Sequence, residues 1–168
     1  GKTVVKEWLY QLLSPEKVIV RSPRSYNSQI GVPLSVWLLK EDTQVGIFEA
    51  GISLPGEMSA LQAIVQPTIG VLTNVGSAHQ ENFASKEAKC KEKLRLFYES
   101  DVIVYCMDDD TIRRCVSEST LKGELLAWSS KDDKAPMYVH IHTEGLRTEV
   151  DYTFKNHLRG QYTIPFID

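Results

Sequence analysis

The residues able to do chemistry fall in a few short stretches. Gly1-Lys2-Thr3 opens the chain and a helical pattern follows at once. It matches the tail of the phosphate-binding loop GxxxxGK[ST]. In that loop backbone N–H groups and a helix N-terminus hold phosphates, the lysine reaches the β/γ-phosphates and the hydroxyl binds Mg²⁺. Glu49 closes an apolar run, Val45–Phe48. Thr73 and Asn74 close another, Ile69–Leu72, and His79 follows. Lys93 lies farther on, in a helix-like segment. Residues just past the carboxyl ends of parallel strands gather in one crevice, where ligands bind. A carboxylate, an amide and an imidazole there suit a metal and a phosphorylated ligand.

Each of these residues also has a plainer reading. A terminal GKT is a short signal. Glu49 at a strand end can be a solvated acid, and a loop histidine is more often structural. Glu57 suits the first turn of a helix, where an acid complements the dipole. Lys93 has Cys90 at i−3 and Phe97 at i+4, beside a buried stripe, where lysines usually snorkel. Lys86, Lys89 and Lys91 read as solvated. His140 and His142 share one strand face, but no third metal ligand is evident, so a plain sheet surface is favoured.

The elements that must position these groups follow from periodicity. Helices are expected over Thr3–Leu13, Pro33–Lys40, Glu57–Val65 and Phe83–Ser100, the last being the longest, with a short one from Asp108 to about Val116. Strands are expected at Lys17–Arg21, Gln44–Ala50, Thr68–Val75 and Asp101–Met107, with Glu124–Ser129 at an edge. Met137–His142, Arg147–Phe154 and Gln161–Phe166 then alternate with period two and no helix between them, which reads as an antiparallel meander. The fold class is therefore α/β: a mainly parallel sheet flanked by helices over residues 1–135, with a small antiparallel β addition over 136–168.

Composition sets the outer bounds. The 168 residues are 42% hydrophobic and 24% charged, ordinary for one globular domain. A net charge of −3 supplies no basic field for nucleic acid. No apolar run is long enough to cross a bilayer. Three cysteines, Cys90, Cys106 and Cys115, lack metal or disulfide spacing and suit a reducing compartment as small buried hydrophobes. The incomplete loop at Gly1 and the abrupt stop at Asp168 are expected of a domain cut from a longer protein.

Four segments, EAGISLPGEMSAL, TNVGSAHQENFASKE, KEKLRLF and, ahead of them in the chain, SYNSQIGVPLSVWLL, resemble the central ATP-binding domain of the Mur ligases. The last resembles the branch that adds D-Ala-D-Ala, which in some bacteria is fused to an alanine racemase. The resemblance implies a P-loop NTPase-like fold and a cytoplasmic, ATP- and Mg²⁺-dependent enzyme of peptidoglycan precursor synthesis. By resemblance its substrates are UDP-MurNAc-tripeptide and D-Ala-D-Ala, joined through an acyl phosphate.

The family roles carry over residue by residue. Gly1, Lys2, Thr3 and Asn74 would bind nucleotide. Thr3 and Glu49 would hold the first Mg²⁺, and His79 with Lys93 the second. Lys93 matches a lysine that is carbamylated in this family. Lys93, His79 and Asn74 would be catalytic, and Asn27 would lie near the UDP-sugar substrate. The N-terminal UDP-binding domain, the C-terminal domain and the adenine-contacting segment of the family are absent, so the chain alone is expected not to turn over. Rival readings are a folylpolyglutamate-type ligase, or a non-catalytic nucleotide-binding or assembly module.

Overall fold

A computed structural model describes residues 1–155 and 157–164. Helix α1 spans Lys2–Leu13. Strand β1 (Ile19–Arg21) pairs in parallel with β2 (Val45–Ile47), and helix α2 (Gly31–Val36) lies between them in sequence. Helix α3 (Glu57–Val65) leads to β3 (Ile69–Leu72). Helix α4 (Lys86–Leu94) leads, through a 3₁₀ turn at Arg95–Phe97, to β4 (Val102–Cys106). Helix α5 (Asp110–Ser117) precedes β5 (Glu124–Ser129). Strands β6 (Met137–Glu144), β7 (Arg147–Phe154) and β8 (Leu158–Ile164) close the described chain.

The parallel strands are divided between two sheets. One holds β1 and β2; the other has the order β3-β4-β5-β6-β7-β8. β3, β4 and β5 are parallel, and β6, β7 and β8 form the expected antiparallel meander. β5 is not an edge strand. It also pairs with β6, through Trp128↔Met137 and Ser129↔Tyr138. β6 starts level with the end of β5, so this short parallel ladder needs no helical crossover, and two pairs give little sign of it in sequence. The meander thereby continues the main sheet. Its last strand begins earlier than expected, at Leu158, and the expected residues Pro165 and Phe166 lie outside the described residues.

Local chemistry explains the other shifts. The segment Phe83–Ser100 is not the longest helix; α1 is. Ser85 takes an extended conformation and its Oγ accepts from Ala88 N at 3.0 Å, which starts α4 three residues late. α2 starts and ends before the expected Pro33–Lys40, and Trp37 beyond it is 88% exposed. The apolar stripe expected on α1 stays largely open, and the residue that α1 buries is Lys6.

The core runs between α3, α4, α5 and the main sheet, through Leu61, Leu72, Leu94, Ile103 and Ile112. Cys90 and Cys115 are buried within it. Burial pushes the Cys90 thiol up to about 12, with Cys115 beside it, so it packs as a small neutral hydrophobe. Cys106 is half-buried.

Candidate functional site

The site forms where α1 begins and where the chain leaves β2 and β3. Gly1 is the residue before α1, and its carbonyl accepts from Val5 N at 3.2 Å. No side chain caps this helix and no acid sits in its first turn. Its first N–H groups are therefore available to an anion.

Glu49 follows β2 and is 5% exposed. Its Oε2 accepts from Thr3 Oγ1 at 2.7 Å and its Oε1 accepts from Asn27 Nδ2 at 2.8 Å. Its backbone N donates to the buried Ser22 Oγ at 3.1 Å. Gly51 allows the approach of the Asn27 loop: its N donates to Asn27 O at 2.6 Å, and a Cβ there would stand 3.1 Å from the Asn27 side chain. Lys6 fastens the same loop from beneath, donating to Ser22 O at 2.8 Å and to Arg24 O.

A second group adjoins the first, since Lys2 neighbours Thr3 and Ala50 neighbours Glu49 in the chain. Lys2, Ala50, Thr73, Asn74 and Lys93 line one small pocket, floored by Phe97 and other apolar residues. Lys93 Nζ donates to Asn74 O at 2.7 Å. Burial lowers the Lys93 pKa to about 8, helped by the charges of Lys2 and Lys89. About a tenth of the amine is then unprotonated at pH 7, far more than for an ordinary lysine.

His79 lies farther along the loop that carries Asn74. It is exposed, with left-handed backbone at φ 58°, and starts a 3₁₀ turn at Gln80–Asn82. Its imidazole makes no hydrogen bond or ion pair among the described residues. Thus Thr3, Asn27 and Glu49 are joined directly, and Lys2, Asn74 and Lys93 share a pocket. No contact ties His79 to either group. Among the described residues no three histidine, cysteine or carboxylate side chains converge on a metal position.

The donor set fits one hard cation at Glu49 and Thr3. Mg²⁺ takes one or two carboxylate or hydroxyl oxygens and completes its shell with water and phosphate. Lys93 as an ammonium has no lone pair to offer, so a metal role for it requires conversion to a carbamate.

Two lysines read as solvated, Lys86 and Lys91, are exposed and paired with Asp109 at 3.0 Å and Glu118 at 2.9 Å. The third, Lys89, is 2% exposed, contrary to that reading. It lies one turn before Lys93 on the same helix face, and its Nζ donates to Gly76 O at 2.8 Å and to Ala78 O. Its i,i+4 spacing to Lys93 was the available signal. Glu57 sits in the first turn of α3, where its Oε2 accepts from Ser53 N and Leu54 N. The buried Glu92 was missed; it accepts from Gly56 N at 2.7 Å and Met58 N at 3.3 Å, capping α3 from α4.

The family described as the Mur ligase middle domain matches residues 1–167. The chain belongs to that family. Its similarity to one relative, the UDP-N-acetylmuramoyl-tripeptide–D-alanyl-D-alanine ligase of Rickettsia prowazekii, is 27% identity over 173 residues, 99% of this chain and 38% of that one. The ligase of the same name from Bacillus subtilis is 28% identical over 123 residues, 71% of this chain and 27% of that one. Among solved structures, the MurF ligase from Thermotoga maritima in complex with ADP superposes with a TM-score of 0.80 at 26% identity, covering 97% of this chain and 37% of that one. The chain thus spans well under half the length of these Mur relatives.

Proposed function

We propose that this Mur ligase middle domain is the nucleotide-binding part of an enzyme that joins D-Ala-D-Ala to UDP-MurNAc-tripeptide, using ATP and Mg²⁺. The observation that carries the reading is the bond from Thr3 to Glu49 at the uncapped start of α1, beside the Lys2, Asn74 and Lys93 pocket. The relatives' shared name supports the choice of substrates, and the Thermotoga complex with ADP supports the nucleotide.

In this reading the tripeptide's terminal carboxylate attacks the γ-phosphorus and ADP leaves. The dipeptide amine then attacks the acyl carbon, phosphate leaves, and the nitrogen gives up a proton. Two anions must meet, so positive charge must lie between them. The α1 N–H groups and Lys2 hold the phosphates. Thr3 and Glu49 would hold one Mg²⁺, which would supply charge neutralisation at the phosphates. Asn74 orients the nucleotide's phosphate end. Lys93, once carbamylated, and His79 would hold a second Mg²⁺. Asn27 orients Glu49 and lies on the side of the site that faces the UDP-sugar. The remaining domains of the full-length protein bring the UDP-sugar and the amine. The reaction belongs in the cytoplasm, and among the described residues no helix is long and apolar enough to cross a membrane.

Titration of Mg-ATP into the full-length protein, wild type against Thr3→Ala and Lys2→Ala, tests the nucleotide assignment. Both variants are expected to weaken binding, and Thr3→Ala should lose most of the Mg²⁺ dependence. Unchanged binding in both would move the nucleotide elsewhere.

A further inference from the structure

The loop Asn74–His79 is held to α4 at two levels. Lys93 Nζ grips Asn74 O, and one turn earlier Lys89 Nζ grips Gly76 O and Ala78 O. Phe83, just past the same loop, presents its ring 5.9 Å from the Lys89 ammonium. Lys89 is 2% exposed, so it cannot itself meet a ligand.

A buried ammonium is a costly way to fill space. Desolvating a charge is unfavourable unless it is well paired. The other buried lysine, Lys6, has Glu7 at 3.2 Å. Lys89 has no carboxylate within ion-pair distance among the described residues, and its hydrogen-bond partners are two loop carbonyls. Packing alone would be met by methionine or leucine. What the ammonium adds is direction. It turns two carbonyls inward, and the second belongs to the residue immediately before His79. His79 then stands in the left-handed region, sparsely used by residues other than glycine. From there the chain enters the 3₁₀ turn, with Gln80 N donating to Ser77 O at 3.0 Å.

We propose that Lys89 is a positioning residue for the ligase reaction: its buried ammonium clamps the Gly76 and Ala78 carbonyls and so fixes the backbone from which His79 projects. This rests on the proposed function for its catalytic consequence, but the clamp itself is a structural claim. Groups that orient metal-binding side chains typically change metal affinity or activity by about tenfold to a hundredfold when removed.

The test uses the full-length protein with Lys89→Met, which keeps bulk and removes the donor, and Lys89→Gln, which keeps one donor group. Three quantities are read: amide hydrogen exchange across Gly76–Gln80, Mg-ADP affinity, and the Mg²⁺ concentration giving half-maximal substrate-dependent phosphate release. Lys89→Met is expected to speed exchange in this loop by about tenfold or more and to raise the Mg²⁺ requirement by about tenfold, with ADP affinity within about twofold of wild type. Lys89→Gln should fall between. Unchanged exchange in both variants overturns the clamp. A loss of ADP affinity in step with the Mg²⁺ effect overturns the positioning role, because it marks general loss of structure. If Lys89→Met does not fold, Lys89→Gln decides by the same readouts. Wild type that releases no substrate-dependent phosphate contradicts the functional reading instead, and hydrogen exchange still decides the clamp.

Discussion

Thr3 Oγ1 donates to Glu49 Oε2 at 2.7 Å across 46 residues of chain. The bond joins the first turn of α1 to the carboxyl end of β2. It places a hydroxyl and a buried carboxylate side by side at a helix N-terminus. With Asn27 on the other carboxylate oxygen, Glu49 is fixed in orientation before any ligand arrives.

Glu49→Gln keeps the shape of this cluster and removes its charge. The expected outcome is Mg-ATP binding weaker by about tenfold or more, the size of losing a charged interaction worth roughly 1.5–3 kcal/mol. Binding of ATP without Mg²⁺ should change little. Calorimetry on the full-length protein with and without Mg²⁺ makes the comparison.

Lys93 should show its environment by titration. Its pKa is lowered to about 8, so the free amine grows as pH rises through that value and the ammonium dominates below it. A carbamate forms when the amine nitrogen attacks CO₂ and loses a proton, so carbamylation should increase over the same interval. Reductive ¹³C-methylation of the full-length protein in CO₂-free buffer should give, apart from the α-amine, one lysine resonance titrating near 8, absent in Lys93→Arg. Bicarbonate added beforehand should suppress it. Titration of every methylated lysine near the ordinary value of about 10.4 would contradict the burial described for Lys93.

The turn before β5 offers a stability prediction. A Cβ on Gly123 would collide with Ser100 O and stand 2.7 Å from the Asp101 carbonyl carbon. These are backbone atoms and cannot rotate away. Gly123→Ala is expected to destabilise the full-length protein by about 1–3 kcal/mol, read as a lower urea midpoint. Gly76→Ala, where added bulk meets nothing within 4 Å, is the control.

Much of this arrangement was legible in the residues. Continuous apolar runs ending in Glu49 and Asn74 marked β2, β3 and the candidate site at their ends. Period-two alternation marked β6, β7 and β8. What was not legible depended on contacts distant in sequence. β5 looked like an edge because its pairing with β6 is only two residues long. Ser85 looked like part of the first turn of a helix, although its hydroxyl caps a helix that begins after it. Lys89 looked solvated because its polarity gave no sign of the two carbonyls that surround it, and they belong to a loop more than ten residues earlier. The bond from the Asn27 amide to Glu49 likewise spans 22 residues and left no local mark.

The most direct test of the account is phosphate release from Mg-ATP by the full-length protein, wild type against Lys93→Ala, with UDP-MurNAc-tripeptide and D-Ala-D-Ala supplied separately and together. The account predicts release that needs both substrates and collapses in the variant. Release indifferent to the substrates, or undiminished in Lys93→Ala, would contradict it.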